Sequence, residues 1–268
     1  MSILDKFNHI LFVNFLRMYL EIFVFFLIVS FIYSSVGFGG GSSYLAILAM
    51  YSLPHQEIRL IALICNIIVV VGSVYIYVKN KQTDWKKILP ITIVSVPMAY
   101  LGAIVKISQS TFFMMLGVSL IIAAVLLWIK IDGSAETPAK DQKSDIVKNS
   151  FLGGGIGFLS GMVGIGGGIF LSPILNLMKW DVPKKIAATA SVFILANSIA
   201  GISGQLTQLS GNMLNMKILY PCLSVFIGGQ LGSRISVRWN PIVIKRVTAV
   251  LVFSAGINIL IKHWNHIY

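Results

Sequence analysis

The sequence predicts an all-α polytopic membrane protein made of two inverted repeats of about five helical segments each, with a glycine-broken helical hairpin in each repeat. Three observations predict it. Hydrophobic residues make up 56% of the chain and charged residues only 11%, with a mean hydropathy of +0.85, whereas soluble domains are about a quarter charged. Apolar runs recur along the chain, several close to the roughly 20 residues that cross a bilayer as a helix. Finally, Val36-Gly37-Phe38-Gly39-Gly40-Gly41 returns in the second half as Val163-Gly164-Ile165-Gly166-Gly167-Gly168.

The elements follow in chain order. Met1 to Arg17 carries Asp5, Lys6, His9 and Arg17 and lacks a small-residue cleavage site, so an interfacial or extended first helix is expected rather than a cleaved signal. Apolar segments run over Leu20–Val36, Ser42–Leu53, Ile58–Val78, Ile88–Val105 and Thr111–Ile129, then Phe151–Val163, Ile169–Met178, Ile186–Leu206, Ile218–Val237 and Ile242–Ile261. The second segment of each half is too short to span. Between the halves, Lys130–Lys148 mixes charges with Gly, Ser and Pro, as a solvated loop does. The expected organisation is a first repeat over 1–130, a cytoplasmic linker over 131–148 and a second repeat over 149–268. Gly153, Gly157 and Gly161 recur every four residues and form one small face on which a helix can pack closely in lipid.

Charge supports the hairpins. If each glycine run is the tip of a hairpin that enters and leaves on one side, the loops at Lys79–Lys87, Lys130–Lys148, Lys179–Lys185 and Arg234–Arg246 share one side and hold 15 of the 21 Lys and Arg residues. Lys6, Arg17, Arg59, Lys106, Lys217 and Lys262 fall on the other side. Treating each hairpin as a straight span weakens the split to 12 against 9, so the positive-inside bias favours hairpins. It also explains the net charge of +12 without a nucleic-acid partner, and none is expected.

Little side-chain chemistry is available within the spans. Glu21 opens the first segment, and the other acids lie in loops or at the N-terminus, so a carboxylate-based cation site or proton relay has no residue to use. The histidines (His9, His55, His263, His266) lack metal-ligand spacing. Cys65 and Cys222 lie in apolar runs and read as small buried hydrophobes rather than a disulfide or metal pair. No catalytic residue, metal or cofactor is expected.

What remains is backbone. A helix broken inside a bilayer must line a cavity or be buried in protein. Each run is followed by a short helix whose N-terminus offers unpaired N–H groups and about half a positive charge. Two such ends facing one another make an anion site. The candidate substrate-binding residues are Gly37, Gly39, Gly40 and Gly41, with Ser42 and Ser43 as hydroxyl donors on one side only, and Gly164, Gly166, Gly167 and Gly168 on the other. Asn66, Thr189 and Asn197 are the mid-span polar residues added to them, with Ser191, Ser198 and Gln205 on the same segment as Asn197. Pro173 is expected to kink or hinge the second short helix.

The paired GxGGG runs, Pro173, the stretch Pro183-Lys184-Lys185-Ile186-Ala187-Ala188-Thr189, and Leu231-Gly232-Ser233-Arg234 resemble the TauE/SafE sulfite exporter family, over about Phe31 to Lys262. The first half departs from that pattern, with His55-Gln56-Glu57-Ile58-Arg59 after Pro54. The resemblance implies a multi-pass secondary transporter in the bacterial inner membrane that moves a small anion, sulfite or an organosulfonate, with proton coupling as a family-level expectation. The alternatives are an anion channel and a carrier of a non-sulfur anion. The expected partners are the small inorganic or organic anion and the lipid bilayer, and a homodimer is compatible with the sequence.

Overall fold

A computed structural model describes residues 3–35, 37–51, 53–129, 146–208, 219–235 and 241–264. All the regular elements among them are helices: α1 (Ile3–Ser34), α2 (Gly41–Ala49), α3 (His55–Lys79), α4 (Trp85–Ile104), α5 (Gln109–Trp128), α6 (Ile146–Val163), α7 (Gly168–Leu177), α8 (Pro183–Leu206), α9 (Leu219–Ile235) and α10 (Pro241–Trp264). They correspond one for one to the ten expected segments. Six are long and apolar enough to cross a membrane, over Arg17–Ser34, His55–Lys79, Trp85–Ile104, Gln109–Trp128, Pro183–Leu206 and Arg246–His263. The first helix is the extended form anticipated for the N-terminus and begins at Ile3. Residues 131–145 of the expected linker lie outside the described residues. Positions 146–148, also assigned to it, already belong to α6.

Local chemistry sets the helix boundaries. Pro183 opens α8 at a position where its missing N–H costs nothing. Ser108 caps α5 by accepting the Thr111 N–H at 3.1 Å. The glycine runs separate α1 from α2 and α6 from α7. In the first pair the chain doubles back: Tyr33 Oη meets Ser43 Oγ at 2.7 Å, the Phe26 ring stacks on Tyr44 at 4.6 Å, and Tyr51 donates to Glu21 at 3.3 Å. Contacts that step down α1 while stepping up α2 define an antiparallel hairpin with its tip at the glycines.

The long helices pack through small residues. Gly153, Gly157 and Gly161 of α6 lie against Ile91, Ser95 and Ala99 of α4 so closely that a Cβ on any of them would strike a carbonyl oxygen of that helix. Both series ascend together, so α4 and α6 run in the same direction. Gly228 and Gly232 of α9 meet Ser30 and Ser34 of α1 in the same sense, with Tyr19 beside Tyr220 at 5.3 Å. Helix α8 also runs with α4, through Ser95–Asn197 and Ala103–Gly204. Helix α5 runs against α10, pairing Phe113 with His263 at 3.9 Å and Leu120 with Gly256. Helix α3 runs with α9, where Val69 meets Gly229 and Gly72 meets Gln230. Cys65 and Cys222 are free thiols on these two helices, the first buried and the second partly so.

One polar tie stands out from this apolar packing. Lys87, near the start of α4, pairs with buried Asp181 at 2.7 Å, and Lys185 approaches the same carboxylate at 3.9 Å. Asp181 also accepts the Val182 N–H at 2.8 Å, which fixes the turn into α8.

Candidate functional site

The two glycine breaks are buried and built alike. Gly40 precedes α2 with φ 85° and ψ 4°, and Gly167 precedes α7 with φ 78° and ψ −17°. Both are left-handed conformations, which cost an L side chain about 1–2 kcal/mol. At the first break the Ser43 and Tyr44 N–H groups both return to the Gly40 carbonyl at 3.0 Å. At the second, Phe170 and Leu171 return to Gly167 at 3.1 Å. The amides of Gly41, Ser42, Gly168 and Ile169 therefore have no acceptor within their own helix, as the first turn of any helix requires.

Asn66 stands between the two breaks. It is fully buried on α3, and its Nδ2 donates to the Ile165 carbonyl at 3.0 Å. A Cβ built on Gly39, Gly41 or Gly166 would overlap the same amide group, at 2.7 Å from Nδ2 in the case of Gly166. Glycine is required at these places because Asn66 fills the space between the breaks. Its Oδ1 has no hydrogen-bond donor. A second tie joins the halves at the first break, where Ser191 Oγ of α8 donates to the Gly37 carbonyl at 2.7 Å.

The other expected residues divide. Ser42 and Ser43 are buried at the start of α2, but their hydroxyls face Tyr33 Oη, at 3.5 and 2.7 Å. Thr189 donates to the Lys185 carbonyl of its own helix at 2.9 Å. Asn197 accepts from Ser95 at 2.9 Å, between α8 and α4. Pro173 lies within α7 without ending it. Beside α2 a cavity of about 210 Å³ opens between α1 and α10, mostly apolar, with Ser43, Asn258, Lys262 and His263 in its wall.

Sequence reasoning left Arg59 out of the site and held Ser191 and Ser198 only as polar residues of the segment that carries Asn197. Arg59, one residue into the segment Ile58–Val78 and counted with the side opposite the basic loops, is only 3% exposed. Its Nη2 donates to the Gly161 carbonyl at 2.8 Å and to the Ala103 carbonyl at 3.3 Å, at the ends of α6 and α4. Its stem lies along Gly164, whose Cβ would stand 3.1 Å from Arg59 Cβ and Cγ. The available signal was its spacing: seven residues, or two turns, place Arg59 and Asn66 on one face of α3. Ser198 Oγ, buried without a partner, lies 3.2 Å from the Cβ position of Gly166. Among the described residues, no group of three or more His, Cys, Asp and Glu side chains could hold a metal ion.

Comparison with known proteins matches most of the chain rather than one motif. The family model described as "Sulfite exporter TauE/SafE" matches residues 22–259. Among curated relatives, the probable membrane transporter protein y4hK of Sinorhizobium fredii is 27% identical over 237 residues, covering 88% of this chain and 95% of that protein. The probable membrane transporter protein YunE of Bacillus subtilis is 24% identical over 250 residues, 82% and 90% of the two chains. A probable membrane transporter protein of Methanocaldococcus jannaschii is 28% identical over 179 residues, 63% and 66%. No solved structure gives a significant match.

Proposed function

Because this chain belongs to the sulfite exporter TauE/SafE family of multi-pass membrane transporters, we propose that it carries a small anion, sulfite or an organosulfonate, across the bacterial inner membrane by alternating access. The anion is held by the two glycine-run helix ends, with Asn66 between them. The observation that carries the reading is the hydrogen bond from Asn66 to Ile165 beside free amides at the starts of both short helices. Oriented N–H groups and helix dipoles favour an anion without needing a carboxylate or a metal.

The helix directions support an inverted repeat. Helices α4, α6 and α8 run one way and α1, α3 and α9 the other, if successive spans reverse; α5 opposes α10. Each helix of the first half then opposes its counterpart in the second. Packing is exchanged in the same way: α1 on α9 answers α6 on α4, α3 on α9 answers α8 on α4, and α3 on α8 answers itself. Such pseudo-symmetry provides two equivalent arrangements, one open to each side, about a shared site. The bonds from Asn66 to Ile165 and from Ser191 to Gly37 span the halves and would be remade as the halves rock.

Replacing Gly40 or Gly167 with Ala forces a left-handed Cβ into contact, 2.8 Å from Tyr44 or from Phe193 respectively. In proteoliposomes loaded with sulfite or methanesulfonate, each variant is expected to lose most of its flux while still eluting as a folded protein. Wild-type flux in both would remove the glycine ends from the mechanism. Saturation and counter-flow are expected of the wild type, whereas an ohmic current would make it a channel.

A further inference from the structure

We infer that Arg59 supplies the positive charge that holds the carried anion, and that the anion's charged end sits at the second glycine break rather than midway between the two. This rests on the reading of the glycine breaks as the anion site. Arg59 is buried, and among the described residues it pairs with no carboxylate. A guanidinium presents five N–H donors and a full charge that no protein environment removes. Here Nη2 meets two neutral carbonyls and Nε has no partner. A buried charge left in this state is costly unless an opposite charge joins it.

Capping alone does not require a cation: the C-terminal ends of α4 and α6 favour one with about half a negative charge each, but their carbonyls would also accept a neutral donor, and they engage only Nη2 and leave Nε without a partner. The second half manages without one: Ala188 stands five residues after Pro183, where Arg59 stands five after Pro54. Position adds the rest. Along α3, Arg59 lies against Gly164 and Asn66 against Ile165 and Gly166, so the two side chains bracket the stretch leading to the free amides of α7. At the first break the hydroxyls that could have received an anion face Tyr33 instead. The second break therefore has Arg59 beside it, its stem on Gly164 and its guanidinium on Gly161 and Ala103, whereas the side chains at the first break, among them Asn66, Ser191 and Tyr33, are neutral.

The test measures binding of methanesulfonate, whose charge is constant across the working pH range, and of sulfite, to the purified full-length protein in detergent. Arg59→Gln keeps a donor for the Gly161 carbonyl but removes the charge; it is expected to bind both probes at least about tenfold more weakly while eluting and melting as a folded protein. Arg59→Lys keeps the charge on a group that can titrate. A buried ammonium loses its proton well below its usual pKa of about 10.4, so methanesulfonate binding to Arg59→Lys should weaken as pH rises from about 7 to 9 while the wild type stays level. His55, one turn earlier on α3, is common to both proteins. Wild-type affinity in Arg59→Gln, or wild-type affinity without pH dependence in Arg59→Lys, would overturn the assignment and leave the transporter reading intact. A wild-type protein that binds neither probe would overturn both.

Discussion

At the scale of single residues, the two mid-span asparagines read alike in the sequence and differ in the structure. Both bond across the halves, but Asn66 donates to Ile165 within the second glycine run, whereas Asn197 accepts from Ser95 of α4. Replacing Asn66 with Leu orphans the buried Ile165 carbonyl and removes the polar group between the breaks. A loss of about 1–3 kcal/mol in unfolding free energy, together with most of the flux, is expected from melting and proteoliposome measurements. The paired change Ser95→Ala with Asn197→Leu removes both partners of one buried bond and is expected to be nearly neutral for stability and to leave flux intact. If the paired change abolished flux, Asn197 would belong to the site and Asn66 would lose its distinction. Arg59 illustrates the limit of counting charges by position: the count assigns it only to the side opposite the basic loops, but the ends of α4 and α6 enclose it.

Among the elements, the glycines divide between those that turn the chain and those that let helices touch. Gly161 belongs to the second kind, since a Cβ there would strike the Ala99 carbonyl, whereas nothing lies within 4 Å of one added at Gly155. Gly161→Leu is therefore expected to separate α6 from α4 and cost about 1–3 kcal/mol. Gly155→Ala should raise stability by about 0.5–1 kcal/mol through the better helix propensity of alanine. Thermal unfolding of the two variants in one detergent measures the contrast, and equal melting temperatures would contradict the close packing of α4 on α6. The four-residue spacing of Gly153, Gly157 and Gly161 made a small face legible in the sequence. Its partner was not legible, because a run of small residues specifies how near a helix can come and not which helix does so.

For the whole molecule, the charge asymmetry and the α3–α9 packing are open to direct measurement. In a variant with both native cysteines replaced by serine, a single cysteine introduced by Lys81→Cys is expected to be shielded from an impermeant thiol reagent in intact cells, and one introduced by Lys106→Cys to react. The reverse pattern would invert the orientation that the Lys/Arg bias supports. In the unmodified chain, a membrane-permeant oxidant should join Cys65 to Cys222 within one molecule, which peptide mapping would detect as a disulfide between α3 and α9. No such link at full oxidation of the thiols would contradict the contact between those helices.

The sequence alone determined the all-helical membrane character, the ten segments and their approximate ends, and the two glycine breaks. These follow from hydropathy, length and backbone chemistry, which act locally and leave their period in the chain. Tertiary structure decided which residues meet at the breaks. Asn66 lies between them, Ser42 and Ser43 face Tyr33, and Arg59 is buried against Gly164. Those outcomes depend on which helix faces lie against one another, and that is fixed by close packing between segments far apart in the chain. No single stretch of sequence records it.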